Sequence, residues 1–337
     1  MPAKETVLVT GGAGYVGAVL VPRLLDAGYA VRVLDLYIYG TGPLDAVREH
    51  PDLTEVHGDI RDADAVRSAV TGCDAVIHLA CISNDPSFEL NPNLSKSINF
   101  DAFGPLVDIS KETGVRRFIY ASTSSVYGVS DSPEVTEDHP LIPITDYNKY
   151  KGLCEPVLFD RGSSDFVPVV IRPATVCGYS PRQRFDLSVN ILTNHAVNNR
   201  KITVFGGEQT RPNIHIDDIV DLYIKMLGYE SGLIAGEAFN AGYQNSSIRE
   251  LANTIKHEIE EHESFGEIDI VTTPSDDIRS YNISSDKIKH ALGYVPEKTI
   301  ENAVSDLCDA FHARRYTDPL ANRIYYNIKQ MQKISLA

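Results

Sequence analysis

Residues Thr10-Gly11-Gly12-Ala13-Gly14-Tyr15-Val16-Gly17 set glycines three apart, between a short apolar run (6–10) and an amphipathic helical pattern (15–27). Few folds accept such a segment. Gly11 permits a tight turn, Gly14 lets the backbone approach a ligand phosphate, and Gly17 lets the helix sit against the strand. The rest of the first half repeats the rhythm. Apolar runs at 30–35, 54–58, 75–79 and 117–121 alternate with helical patterns at 62–70 and 94–112, and a further run lies at 167–171. Alternation at this spacing predicts an α/β fold: a doubly wound parallel sheet with helices on both faces.

After about residue 172 the rhythm changes. Helical patterns at 187–197, 217–229, 248–262, 285–292 and 299–314 enclose short strand patterns at 203–205, 237–240 and 268–272. We expect a first domain over 1–172 and a smaller mixed α/β lobe over 173–337. The boundary is not clean, because the chain has room to cross back. No repeat or low-complexity linker interrupts it.

Composition narrows the functional classes. Of 337 residues 43% are apolar, enough to bury a core, and the net charge of −15 argues against nucleic acid as a partner. No apolar run reaches the roughly 18 residues of a membrane span. The first six residues carry no basic head and apolar signal core. Cys73, Cys81, Cys154, Cys177 and Cys308 are odd in number and widely spaced, with no CxxC, and the ten histidines form no HExxH or HxH. Reduced thiols, a cytoplasmic location and no metal are expected.

The glycine turn is a dinucleotide cradle when a carboxylate ends the next strand, and Asp35 does so. A carboxylate there binds both adenosine ribose hydroxyls and repels an added phosphate, and no Lys or Arg follows before Arg48. NAD is therefore the expected cofactor. Asp59-Ile60, after the third strand, can meet the adenine amine and cover the ring, although Asp59 also lies just ahead of a helix start. His78-Leu79-Ala80 ends the fourth strand on a small residue, as close approach of a cofactor requires.

Tyr147 and Lys151 lie four apart and share a helix face. An ammonium beside a phenol lowers its pKa from about 10, which makes Tyr147 an acid and base for an alcohol–ketone pair. Ser122-Thr123-Ser124-Ser125-Val126-Tyr127-Gly128 follows the fifth strand, where open α/β sheets bind ligands. A Thr123 hydroxyl there can orient a substrate oxygen toward Tyr147.

Together these residues, with Asn99 and Arg172-Pro173 in order and spacing, resemble the extended short-chain dehydrogenase/reductases, the NAD-dependent epimerase/dehydratase family that includes UDP-galactose 4-epimerase. The resemblance spans nearly the whole chain. It implies a Rossmann domain, tightly held NAD, a lobe that grips a nucleotide-linked sugar, and a homodimer formed through helices near 94–112 and 147–160. It implies cofactor contacts from Gly11, Gly14, Tyr15, Val16, Gly17, Asp35, Asp59, Ile60, Leu79, Ala80, Cys81, Asn99, Ser122, Tyr147, Lys151 and Pro173. The catalytic set is Thr123, Tyr147 and Lys151.

The family's 4,6-dehydratases carry Asp-Glu where this chain has Ser124-Ser125, so 4,6-dehydration is disfavoured. Transient C4 oxidation leaves two enzymes open, an epimerase or a 4-dehydrogenase of the GDP-heptose type that releases the ketone. A non-catalytic NAD-responsive binding protein is the third reading. Substrate contacts are expected from Ser83, Asn84, Thr123, Thr175, Arg184, Asn190, Arg211 and Arg279. Thr175 departs from the family's usual Asn. Arg182, Arg184, Asp186 and Asn190 form a polar cluster expected to handle sugar or phosphate. The segment from Tyr316 onward, with Arg323-Ile324-Tyr325-Tyr326, has no assigned role beyond packing on the lobe or a subunit.

Overall fold

The computed structural model describes residues 4–130, 132–261, 266–275 and 280–334. Strands β1 (Thr6–Thr10), β2 (Ala30–Asp35), β3 (Leu53–His57), β4 (Ala75–His78), β5 (Arg117–Ala121) and β6 (Val167–Pro173) match the expected runs within two residues. Short strands β7 (Thr175–Cys177), β8 (Lys201–Phe205) and β9 (Thr210–His215) follow, then β10 (Glu237–Ala241), β11 (Gln244–Ser247) and β12 (Asp269–Thr273).

Seven strands form one parallel sheet in the order β10-β6-β5-β4-β1-β2-β3. The order reverses between β1 and β4, so the carboxyl ends of β1, β2 and β4 open a crevice there, the place where such sheets take ligands. Side chains alternate across the sheet with period two. Val7, Val9, Val31, Val33 and Ile77 join the core on one face, and Leu8, Leu34, Val76, Phe118 and Tyr120 the core on the other. With both faces covered, the strands read as near-continuous apolar runs.

Helix Gly17–Asp26 packs against helix Ile216–Gly228 on the first face. Helices Ala63–Val70, Phe103–Glu112 and Asp146–Phe159 cover the second. The sequence placed 217–229 and 237–240 in the C-terminal lobe. They lie on the large sheet instead, because Ile219, Val220, Leu222 and Phe239 belong to its first-face core. The lobe keeps a three-stranded mixed sheet, β11-β9-β7, a β12-β8 pair and its own apolar core.

The helix expected over 94–112 is also interrupted. A turn of helix at Pro92–Lys96 widens into a π-helical turn at Ser97–Asp101 before Phe103–Glu112 begins. That widening sets buried Asn99 under the loop after β4, where its amide accepts from the Ile82 N–H at 2.8 Å and donates to the Ile82 carbonyl at 2.9 Å.

Candidate active site

The glycine turn lies at the floor of a cavity of about 380 Å³ over the sheet's carboxyl edge. Gly11 has φ +75°, and a Cβ there would stand 2.7 Å from the Ala80 backbone nitrogen. A Cβ on Gly17 would come within 2.5 Å of the Gly11 carbonyl. Both positions therefore exclude side chains. Gly11, Gly14, Tyr15, Val16 and Gly17 all line it. A backbone cradle of this shape fits a dinucleotide diphosphate.

Asp35 lines the same cavity at the end of β2. Its two carboxylate oxygens accept from the Ala13 and Tyr37 N–H groups at 3.0 and 2.7 Å. Each retains a lone pair for a ribose hydroxyl. Burial pushes its pKa up. Ile60, Leu79, Ala80 and Cys81 also line the cavity. Asp59 is not among the lining residues. It faces Arg61, which grips its carboxylate at 2.6 and 3.0 Å. Asn99 likewise supports the wall from behind.

The reactive corner lies at the ends of β5 and β6. Thr123 caps the short helix Ser124–Tyr127, accepting from the Ser125 N–H and donating to Ser125 Oγ, both at 3.2 Å. Tyr147 and Lys151 occupy successive turns of helix Asp146–Phe159, and both line the cavity with Ser122, Thr123 and Pro173. The expected effect of Lys151 on the phenol is not what the structure shows. Lys151 Nζ donates to the Ala121 carbonyl. Burial raises the Tyr147 pKa well above 10, reinforced by the Cys81 thiol within hydrogen-bonding reach. Arg184 is the cation that draws it back.

Beneath this corner is a charge network with no outlet to solvent. Arg172 grips Glu155 at 3.1 and 2.6 Å, Ser122 Oγ donates to Glu155 at 2.6 Å, and Arg172 also donates to the Tyr127 hydroxyl at 2.6 Å. His78 is buried beside Thr10 Oγ1 at 2.6 Å, and burial lowers its pKa to about 3. It is therefore neutral.

A second cavity of about 330 Å³ adjoins the first and shares Asp85, Ser125, Asn148, Thr175 and Leu187 with it. Arg211, Gln209 and Tyr281 close its far side. The expected substrate residues divide between the two spaces. Ser83, Asn84, Thr123 and Arg184 line the first, Arg211 the second, and Thr175 both. Asn190 lines neither. It is fully buried, accepts from the Gly178 N–H, and donates to the Tyr15 hydroxyl and the Arg184 carbonyl at 3.0, 3.0 and 2.9 Å. Arg279 lies outside the described residues.

Sequence reasoning missed several lining residues. Asn327, in the unassigned C-terminal segment, reaches the first cavity, and Tyr39 stands on the loop after β2. No motif marks either, since each acts through contacts far away in sequence. Tyr281, also missed, places its hydroxyl 3.2 Å from both Ser124 Oγ and Ser125 Oγ. Among the described residues one trio, His215, Asp217 and Asp306, brings metal-ligand types together. The Lys298 ammonium already bonds Asp217 and stands 3.9 Å from Asp306. No helix among the described residues is long and apolar enough to cross a membrane.

Comparison with known proteins agrees with this geometry. The model of the NAD dependent epimerase/dehydratase family matches residues 7–242. An uncharacterized protein of Sinorhizobium fredii, y4nG, is 35% identical over 75% of this chain, and the match spans 60% of that relative's length. A UDP-glucose 4-epimerase of Azospirillum brasilense is 28% identical over 88% of each chain. Among solved structures, DesIV, a dTDP-glucose 4,6-dehydratase of Streptomyces venezuelae with NAD and TYD bound, superimposes with a TM-score of 0.81. It shares 26% identity, covering 94% of this chain and all of that one.

Proposed function

This chain belongs to the NAD-dependent epimerase/dehydratase family and takes NAD as cofactor, and from that premise we propose that it is a nucleotide-sugar 4-epimerase. The observation that carries the proposal is the pair of joined cavities. One is floored by the glycine turn and lined by Tyr147, the other is walled by Arg211, and Ser125, Asn148 and Thr175 line both. A cofactor in the first and a sugar in the second would face each other across those residues, with Arg211 available to the diphosphate.

Bound NAD supplies the acceptor, and later the donor, of a hydride at the sugar C4. The residues manage the proton. Tyr147 takes it from the C4 hydroxyl and gives it back, and Thr123 Oγ1 fixes the substrate oxygen in line. Burial keeps the phenol protonated at rest, so its turn as base depends on the cation that acts on it, Arg184. Return of the hydride to the opposite face of a rotated ketone gives inversion.

The 4,6-dehydratase reading is less favoured. Ser124 and Ser125 replace the acid and base of that chemistry, and both hydroxyls are shared with Tyr281. Two related expectations are also proposals. The five cysteines are unpaired, which suits a reducing cytoplasm. Exposed Leu153 on helix Asp146–Phe159 gives a second copy an apolar surface to pack on.

Incubation with UDP-, GDP-, CDP- and dTDP-sugars tests the reading. A C4-inverted product without net NADH supports it. Stoichiometric NADH with a released ketone, or a 4-keto-6-deoxy product, overturns it. Tyr147→Phe should lower kcat about 10²- to 10⁴-fold while NAD stays bound. A variant that keeps full turnover would rule out the phenol as the proton carrier.

A further inference from the structure

Two arginines of the loop after β7 line the cofactor cavity. Arg182 is 4% and Arg184 9% exposed, and each has a buried nitrogen, Nε and Nη2 respectively, without a hydrogen-bond partner. Leaving such groups unpaired is costly. Arg184 is held by Asp186 at 2.9 Å, and Arg182 lies on the Tyr39 ring with its guanidinium carbon 3.5 Å from the centroid. The carboxylate hydrogen-bonded to the pair, Asp186, is spent on Arg184, and the two unpartnered nitrogens are donors that an anion would complete.

Their position separates the cofactor from the substrate. The loop is fastened to the glycine turn itself: the Tyr15 hydroxyl donates to the Gly178 carbonyl at 2.7 Å, and Ser180 Oγ donates to the Tyr15 carbonyl at 2.7 Å. Arg182 acts on Asp35 and Tyr39 at the adenosine end. Arg184 acts on Tyr39 at that end and on Tyr147 at the reactive end, and all three line the one cavity. The middle of a dinucleotide is its diphosphate. Neither arginine lines the second cavity, where Arg211 stands.

The C-terminal segment locks both arms. Asn327 accepts from Arg182 at its Oδ1, donates its Nδ2 to Ser83 Oγ at 2.7 Å, and donates its backbone N–H to Asp186 at 2.9 Å. Gln330 donates to the Ile38 carbonyl. One short stretch thus ties the loops after β2 and β4 to the arginine loop across the cavity mouth.

We propose that Arg182 and Arg184 clamp the NAD diphosphate from outside, and that Asn327 straps the clamp shut, so that the cofactor stays in place between half-reactions. This rests on the NAD assignment and not on the identity of the sugar. It moves Arg184 from the substrate, where the sequence put it, to the cofactor.

The test uses the full chain freed of nucleotide and titrated calorimetrically with NAD, ADP-ribose and adenosine. Arg182→Met and Arg184→Met should each raise the Kd for NAD and ADP-ribose about 10- to 100-fold, the range of a charge-assisted bond, and Arg184→Met should leave adenosine nearly unchanged. Asn327→Ala should raise the NAD Kd about 2- to 10-fold, with faster release. Thermal unfolding of each ligand-free variant checks that it folds. If a methionine variant does not, Arg184→Lys replaces it. It keeps the charge and loses the fork, and a several-fold weaker hold on ADP-ribose is expected. An unchanged NAD Kd in a folded arginine variant, or a loss confined to the KM of the nucleotide sugar, overturns the proposal.

Discussion

The inner wall of the cofactor cavity is backbone: the glycine turn and the ends of β1, β2, β4, β5 and β6, joined by parallel ladders between strands near in space and regular in sequence. The outer wall is side chain. Arg182, Arg184 and Asn327 reach it from two segments more than 140 residues apart, and they meet where Asn327 bonds across the gap. The inner wall holds its shape through main-chain bonds and through positions where no side chain fits. The outer wall depends on a few polar contacts, and Phe185, Tyr316 and Tyr325 packed behind them. Damage to the first should therefore cost the fold and the cofactor together. Damage to the second should loosen the cofactor and leave the fold nearly as stable.

The sharpest way to break that contrast is at the buried pair under the inner wall. Arg172→Met leaves the Glu155 carboxylate, 2% exposed, without its cation and leaves Ser122 as its one charted donor. Losing one partner of a buried ion pair costs about 3–5 kcal/mol. Urea unfolding should register that loss. A destabilisation below 1 kcal/mol would mean that the network contributes little to the inner wall.

A smaller effect is expected one step nearer the cofactor. Gly17→Ala sets a methyl 2.5 Å from the Gly11 carbonyl and 2.6 Å from Gly12 Cα, both backbone atoms with no freedom to swing away. Overpacking of this kind costs about 1–3 kcal/mol. It should also reduce NAD binding, since the turn that must shift is the one that cradles the diphosphate. A variant that loses stability and binds NAD normally would show that the inner wall can be deformed independently of its ligand.

These walls also differ in how much of them the chain announces. Strands β1, β2 and β5 stand at the expected limits because apolar runs and turn residues are local signals. Gly11, Asp35, Tyr147 and Lys151 reach the cavity for the same reason: each follows a strand or shares a helix face at fixed spacing. What spacing does not reveal is where a side chain ends. Asn99 and Asn190 have a ligand's chemistry, and both spend it on partners within the protein. Lys151 faces the Ala121 carbonyl, and the cation acting on Tyr147 is Arg184, thirty-seven positions along. Helix Ile216–Gly228 has the same amphipathic pattern wherever it packs, so only the assembled core tells that it covers the large sheet. The strap at Asn327 left no trace, since a single Asn in a polar tail is indistinguishable from a solvated one.

Acid gives the gentlest probe of the comparison, because the two walls titrate differently. His78 is buried at the end of β4 with its pKa lowered from 6.5 to about 3. The unfolded chain thus binds a proton there that the folded chain refuses. The sign follows: this contribution to stability is complete above pH 6.5, and it is lost progressively as the pH falls toward 3, by at most about 1.4 kcal/mol per unit. In the outer wall Asp186, though burial opposes its charge, is held below 3.8 by Arg184, so that pair stays ionised between pH 6.5 and 4.5. Between pH 6.5 and 4.5 a chain with His78→Asn should lose less stability than the parent, while NAD release through the Arg184 side should be equally fast in both. If the two proteins lose stability in parallel, His78 is not the group through which acid reaches the sheet. If release accelerates in the parent alone, the two walls are coupled, and the separation argued from their contacts fails.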